Sequence, residues 1–600
     1  MRLPNGLHSS GTDIAFIASE APRAAAMNEP MSKPAKVALV LVPLALLALL
    51  VIGLADISYT QKLFVNTTYF FLMATVLCWA GTFLHAGREA RRETIVAWAK
   101  ANWPGLVIAV AVTIVAWLAI HPALRILSDE ANLVGTSKNL FASRTATFTV
   151  SGKNYYDSYW DIDVAIDRRP ALFPFLVSLV HVVRGYSYEN VFLFNLLVLP
   201  AFVLVSYRLA KSIGGTTSGE TYGIVASLLV VAHPVTLIAV RSGGFDFLAL
   251  FFSLLVIKSV LDHVREPSAA RLATLWMNLC MFAEIRYESA LFIVPVVALL
   301  LVFRLVNWSI LRPYAFIYAL TPAYLAPRIW QAVLRGSVPE QEPGAIPFSL
   351  GNFFNNVREY FKPVFSPLND YPAHSGIVIA LGLVGCVLWL RSRRRELFAP
   401  DWKDPRLRFA TFVGAWMLLQ LIVVFSYVWG RAQAPSAARL VIAIDTFFSF
   451  CAAWALTVSL RRWRPFVAVL IAGAVLAIQL PIASQHRFGN RLTQTRETAT
   501  AWRFFESLHE KRILIVTDRP DLFTIMQYGA MSFEAARHDP FIFDAFARHL
   551  FYDIYVVQQI KLSTNSPLPG YDIWPTRRLE TMLQYQNDAD VLIRISRLGR

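Results

Sequence analysis

Runs of about twenty mostly apolar residues recur along this chain, at 37–55, 103–120, 221–240 and 439–460 among others, and no single soluble core could absorb them all. A helix of that length crosses the ~30 Å hydrocarbon layer of a bilayer. Helices and closed barrels alone satisfy every backbone hydrogen bond there. Of the 600 residues, 56% are hydrophobic and 16% charged, against about 25% charged in a soluble domain. The chain therefore reads as an α-helical polytopic membrane protein.

The formal net charge of +16 would direct a soluble protein toward nucleic acid, but here the basic residues gather in short loops between apolar runs. That pattern marks cytoplasmic loops, so membrane lipid, and no nucleic acid, is the expected partner. Three loops carry it: Arg88, Arg91, Arg92 and Lys100; Arg391, Arg393, Arg394, Arg395, Lys403, Arg406 and Arg408; and Arg461, Arg462 and Arg464. About thirteen transmembrane helices are expected, near 36–57, 64–85, 103–121, 188–210, 221–240, 246–263, 272–285, 288–304, 313–330, 373–390, 408–428, 439–460 and 464–482. With a cytoplasmic N-terminus, this odd count puts all three basic loops inside and leaves the C-terminal segment outside. The stretch 171–183 follows Pro170, contains Pro174 and is too short for a full crossing. It is read as a juxtamembrane helix, since a span there would invert every later basic loop.

The expected organisation is a polar cytoplasmic tail at 1–35, two additional transmembrane helices at 36–102, a transmembrane core at 103–482 and a small α/β domain outside the membrane at 483–600. The core carries two long outer loops, 122–187 and 331–372, the latter rich in proline and holding Asn355 and Asn356. In the last segment, Ile513 to Thr517, Ile554 to Val557 and Val591 to Ile595 look like short strands, separated by helix-like stretches at 497–509 and 576–585. Cys78, Cys280, Cys386 and Cys451 lie within apolar runs and show neither disulfide nor metal-ligand spacing. No metal ligand set is read from the sequence.

Charges at the outer ends of the helices are the candidates for chemistry. Asp129 and Glu130 follow the third span directly. A carboxylate at that depth can act as a general base, or the same residues can cap a helix running to Ser143. The first loop adds Asp157, Asp161, Asp163 and Asp167, a wet acidic surface or a hard-oxygen cation site, and then Arg168 and Arg169 before an apolar helix. Guanidiniums at headgroup height either grip a phosphate or anchor the interface. The turn Arg241-Ser242-Gly243-Gly244-Phe245-Asp246 brings another acid near a cation, and Arg439 opens the twelfth span. Glu284, Arg286 and Glu288 interrupt an otherwise apolar stretch. Each would cost about 2.5–3.5 kcal/mol if it faced lipid at mid-depth, so they should pair or line a cavity.

Over roughly 103–465 these positions resemble the GT-C superfamily of polytopic glycosyltransferases, and within it the family 39 group of protein O-mannosyltransferases and lipid A aminoarabinose transferases. The resemblance is carried by Asp129-Glu130, by Arg169-Pro170-Ala171-Leu172, and by Asp246, Arg286 and Arg439. It implies an inner (plasma) membrane enzyme that moves a sugar from a polyprenyl-phosphate donor to an acceptor hydroxyl on a glycolipid, polysaccharide or protein, with inversion. Asp129, with Glu130, would be the catalytic pair. Arg168, Arg169, Arg286 and Arg439 would hold the donor phosphate, and Asp246, Arg241, Asp167 and Glu288 would line the substrate pocket. Asp129, Arg169, Asp246 and Arg286 are then expected to meet in one cavity. The chain departs from the family in its two extra spans, in Ala171 for a second proline, and in Arg168 where the aminoarabinose transferases tend to have an acid. These departures leave the donor sugar and the use of a divalent cation open. Two other classes compete. A transporter or flippase would want inverted repeats and acids near the bilayer midplane, whereas a non-catalytic envelope assembly protein would not need Asp129.

Overall fold

The computed structural model describes residues 41–48, 50, 51, 54, 56–89, 95–155, 158–335, 346–365, 373–394, 396, 400–434, 436–459, 465–484, 493–539, 541–588 and 590–599. The N-terminal tail, much of the first expected span, Asp157, and the basic residues Arg91, Arg92, Arg395, Arg461, Arg462 and Arg464 lie outside the described residues. In chain order the helices used below are α1 (Ile57–Glu89), α2 (Ile95–Ala119), α3 (Leu127–Ala142), α4 (Leu172–Arg184), α5 (Asn190–Val230), α6 (Pro234–Val240), α7 (Asp246–Arg265), α8 (Ala269–Ala283), α9 (Ile293–Val302), α10 (Ala326–Arg335), α11 (Leu350–Phe365), α12 (Gly376–Ser392), α13 (Pro405–Ser426), α14 (Ile442–Ser459), α15 (Pro465–Ser484) and α16 (Thr493–Ser507).

Among the described residues, seven helices are long and apolar enough to cross a membrane, or eight if one bent pair counts as a single span. The chain is a multi-pass membrane protein, and thirteen full-length spans are not found among the described residues. Positions 221–240 do not form one rod, because the chain bends by 76° between Val230 and Pro234, where proline offers no N–H to continue the ladder. The expected span at 313–330 is cut into Arg312–Tyr314, Ala315–Ala319, Thr321–Tyr324 and the start of α10. Prolines 313, 322 and 327 interrupt it. The apolar helices α8, Glu288–Val302 and α12 fall in the 10–17 residue range. Hydropathy counts apolar residues and is blind to these breaks. The α4 segment, thirteen residues long, is the short helix expected at 171–183.

Local chemistry explains several boundaries. The Asp404 carboxylate accepts the Arg406 N–H at 2.9 Å ahead of Pro405, and the Ser375 hydroxyl caps α12 through Val378 N–H at 3.4 Å. α12 packs closely on α14 because Gly382 and Gly385 leave room. A Cβ at Gly385 would sit 2.0 Å from the Cys451 carbonyl oxygen, so only small residues permit the contact.

A single eight-stranded sheet caps one end of the molecule, formed by β1 (Phe148–Tyr155), β2 (Ser158–Ala165), β3 (Ile513–Val516), β4 (Gly529–Met531), β5 (Asp553–Lys561), β6 (Ser566–Pro567), β7 (Leu579–Asp588) and β8 (Val591–Leu598). Its order is β2-β1-β4-β3-β5-β8-β7, with β6 on β5. β3 is parallel to β4 and β5, and its four residues are all buried, as the continuous apolar run Ile-Leu-Ile-Val requires of a central parallel strand. Two expectations change here. The helix-like stretch 576–585 is mostly strand β7, in which Leu583 and Tyr585 pack inward while Met582 is exposed, the period of two that a strand shows. The loop at 122–187 and the C-terminal segment are not separate bodies either. Gly152 of β1 pairs with Ala530 of β4, and the Asn154 side chain donates to the Lys511 carbonyl at 2.6 Å. Thr524 donates to the Thr149 carbonyl at 3.2 Å, and its short helix Asp521–Thr524 packs on α3. The C-terminal segment thus braces the helix that carries Asp129.

Candidate active site

The site is assembled from five helix ends. Asp129 stands in the first turn of α3, whose N-cap is Ile126, with no side-chain cap. The capping alternative is therefore excluded, and the Asp129 carboxylate makes ion pairs instead. One oxygen accepts from Arg169, and the other accepts from Arg439 Nη2 at 2.5 Å. Arg439 spans a gap, because its Nη1 also donates to Asp246 Oδ2 at 3.2 Å. Asp246 in turn accepts from Arg286 on its other oxygen, and Arg286 Nε lies 2.6 Å from Glu288. At the opposite end Arg169 Nη1 donates to Asp167 at 2.7 Å. An unbroken alternation results: Asp167, Arg169, Asp129, Arg439, Asp246, Arg286, Glu288. Four carboxylates face three guanidiniums, so the chain of pairs carries one negative charge in excess.

Neighbouring residues fix this arrangement. Asp246 opens α7, where the helix dipole favours a carboxylate. The turn before it is pinned by two groups that the sequence reading did not single out for that job. Asn195 donates to the carbonyls of Ser242 and Gly244 at 2.9 Å each, and Glu130 accepts the Gly243 N–H at 2.9 Å. Glycine is needed there: a Cβ on Gly243 would lie 2.7 Å from Leu124 and 3.1 Å from Glu130. Gln331 of α10 donates to the carbonyls of Asp167 (3.0 Å) and Arg169, holding the turn that presents Arg169. Neither Asn195 nor Gln331 carries a local signal, since an amide reads as neutral polarity until its backbone partners are known.

Two expected site residues make backbone contacts. Glu130, expected to share catalysis with Asp129, is 1% exposed and accepts the Arg125 and Gly243 N–H groups at 2.8 and 2.9 Å. It anchors backbone. Arg241, expected to line the substrate pocket, is buried and donates from Nε to the Ile120 carbonyl at 3.1 Å, just past the end of α2. It ties a helix end to the turn. Arg168 is half-buried beside Arg169. In the first loop, Asp161 pairs with Lys138 at 2.9 Å and accepts from Thr149 at 2.6 Å, which joins β2 to α3.

Burial alone would raise the Asp129 carboxyl, but Arg439 and Arg169 outweigh it and hold it below the usual carboxylate range. Asp167 behaves oppositely. Burial pushes it up against the pull of Arg169. Glu130 is pushed up to about 7, again by burial, despite its two N–H donors and the nearby Arg439 and Arg125.

No protein-family model matches the chain, and no curated protein sequence matches it. Among solved structures it is similar to ArnT from Cupriavidus metallidurans bound to undecaprenyl phosphate, with a TM-score of 0.51 over 84% of this chain and 98% of that one, at 14% identity. The chain has the GT-C fold. It also aligns with the archaeal oligosaccharyltransferase AglB from Archaeoglobus fulgidus in complex with an inhibitory peptide and a dolichol-phosphate, with a TM-score of 0.41 over 77% of this chain and 70% of that one, at 10% identity.

Within this GT-C fold one end of the charged chain borders a small pocket that adjoins a larger cavity in the helix bundle. A small pocket lined by Asp246, Arg286, Glu288, Gln420 and Leu440 shares Leu250, Ser253 and Ala443 with a larger cavity of about 400 Å³. The larger cavity runs between α7, α12, α13 and α14, lined by residues such as Leu254, Ile257, Trp416 and Phe447, and reaches Arg265, Arg393 and Arg406 at its far end. From Leu250 to Arg265 along α7 is about 22 Å of helix rise. The groove is therefore long and apolar, with guanidiniums at both ends.

Proposed function

We propose that this GT-C chain is a membrane glycosyltransferase that moves a sugar from a polyprenyl-phosphate donor to an acceptor hydroxyl, with inversion, on the outer face of the inner (plasma) membrane. The observation that carries the reading is that the apolar groove adjoins, across Leu250, Ser253 and Ala443, the pocket lined by Asp246 and Arg286. A polyprenyl tail fits the groove, and its phosphate then meets Arg286 and Arg439, with Arg169 and Arg168 close by. ArnT, which shares the fold, is bound to undecaprenyl phosphate. The acceptor is a glycolipid, polysaccharide or protein hydroxyl.

The chemistry follows from the charges. A phosphate leaving group needs its negative charge stabilised more than it needs a proton, and fixed guanidiniums do that in a site from which water is excluded. The acceptor hydroxyl needs a base, and Asp129 supplies it. Both Asp129 oxygens accept from arginines in this arrangement, so donor binding must redistribute them. An entering phosphate adds negative charge to a cluster already in excess by one and competes for Arg439 and Arg169. As they turn to the phosphate, an Asp129 oxygen is freed for the hydroxyl. The proton affinity of that carboxylate rises, and the base strengthens when the donor is in place. Asp246 and Glu288 remain to orient the sugar and Arg286.

The test pairs binding with turnover. Purified protein should bind undecaprenyl phosphate, and Asp129→Asn should keep that binding while transfer falls by about 10²–10⁴-fold, the range for a lost general base. An unaltered transfer rate would remove Asp129 as the base. Failure of the wild-type protein to bind undecaprenyl phosphate would remove the donor assignment. Mass analysis of envelope glycolipids and glycoproteins from cells lacking the chain identifies sugar and acceptor together.

A further inference from the structure

A second polar cluster lies outside the alternating chain of ion pairs. His233 occupies the break between α5 and α6, His374 precedes α12, and Asp445 stands in the first turn of α14, six residues after Arg439. All three are fully buried, and their donor atoms lie within 4.8 Å of one another.

We propose that His233, His374 and Asp445 hold a structural zinc ion that locks the break after α5 to the helix presenting Arg439. Two imidazoles and one carboxylate form a zinc ligand set, whereas calcium and magnesium take oxygen donors. Zinc bonds of about 2.0–2.2 Å in a tetrahedron place neighbouring donors about 3.3 Å apart. Here His374 Nδ1 is 2.6 Å from Asp445 Oδ2, and His233 Nδ1 is 3.6 Å from Asp445 Oδ1, separations that bracket that value.

The groups behind the ligands also fit. A metal-bound histidine usually donates its other ring N–H to a carbonyl or carboxylate, and His374 Nε2 meets the Ala432 carbonyl at 2.8 Å. Tyr360, itself fully buried, donates to Asp445 Oδ1 at 2.8 Å and so orients the carboxylate from behind, and a water would complete four-coordination. The competing occupant is a proton, giving a His374 imidazolium between Asp445 and Ala432. That account leaves a defect. The 3.6 Å from His233 to Asp445 is too long for a hydrogen bond. His233 Nδ1 would keep only a long contact with the Ser375 N–H at 3.2 Å, a weak bond that zinc at the same nitrogen replaces. With no solvent access, the ion would be structural, clamping three segments rather than meeting substrate.

The full chain, purified without metal-affinity resin and loaded with zinc, should hold about one zinc per chain by elemental mass spectrometry, with imidazole scattering in the zinc X-ray absorption spectrum. Stripping it with a strong chelator should lower the thermal unfolding midpoint, and zinc but not magnesium should restore it. His233→Ala should lose the metal. Because that variant can fail to fold, the wild-type measurement decides. Less than a tenth of an equivalent of zinc on folded protein, with a midpoint indifferent to chelator, would establish the proton-held cluster and overturn the proposal. The proposed sugar transfer would stand untouched.

Discussion

Replacing Arg439 by lysine is the sharpest perturbation of the site. The guanidinium reaches two carboxylates on different helices at once, Asp129 through Nη2 at 2.5 Å and Asp246 through Nη1 at 3.2 Å. An ammonium is a point charge on a flexible stem and cannot span both. The variant keeps the cluster's net charge, so what is lost is one charge-assisted hydrogen bond. Such a bond contributes about 1.5–3 kcal/mol. Asp246, with only 4% of its side chain exposed, has little water to replace it, whereas Asp129 at 24% has more. At about 1.4 kcal/mol per decade, the loss converts to roughly a 10- to 150-fold fall in kcat/KM. Two assays should be run together on detergent-purified protein: binding of undecaprenyl phosphate, and sugar transfer once the donor sugar is identified. Binding should weaken and transfer should fall within that range, and the thermal midpoint should drop as well, because the bond to Asp246 is lost from the resting protein too. If lysine supports both within about threefold of wild type, a factor worth less than 1 kcal/mol, the bridging geometry is not what the site uses, and the reasoning from the fork is refuted.

Further outcomes are expected. Gly414 lines the groove with nothing within 4 Å of an added Cβ, so Gly414→Trp should block a long polyprenyl tail while leaving a short-chain prenyl phosphate bound as before; equal weakening of both would place the tail elsewhere. Glu130 has its folded pKa raised to about 7, so the native state binds the extra proton. Its contribution is therefore complete below about pH 4.5 and is lost as pH climbs through 7, by about 3 kcal/mol in all. Thermal midpoints should decline across that window in wild type and flatten in Glu130→Gln, and parallel slopes would rule this out. Reporters fused after Ile482 and near Arg394 should land on opposite faces, the first outside; both on one side would break the assigned orientation.

Particular residues show where the sequence was legible. The apolar runs of α2, α7, α13 and α14 are visible because a span must be apolar along its whole length, a signal carried in consecutive residues. The acids and arginines that make the ion-pair chain stood out for the same reason, as charges at the ends of apolar runs. The strands β3, β5 and β8 were readable from short β-branched runs. By contrast, the breaks at 231–233 and within 312–327 were hidden, since window-averaged hydropathy smooths over a proline. β7 was missed because polar alternation in an outer segment looks much like a helix face.

Sequence alone determined that the chain crosses the membrane repeatedly and which side chains are too costly to leave facing lipid. It could not say which charge meets which, because pairing depends on contacts between residues hundreds of positions apart. The tertiary structure set Glu130 and Arg241 against backbone groups, while Asp129 and Asp246 share the Arg439 guanidinium. It also joined the C-terminal segment to the loop at 122–187 in one sheet, through a single register match between Gly152 and Ala530, and it set His233, His374 and Asp445 side by side. Solvation is a property that each residue carries along the chain. Partnership arises only when the chain is folded.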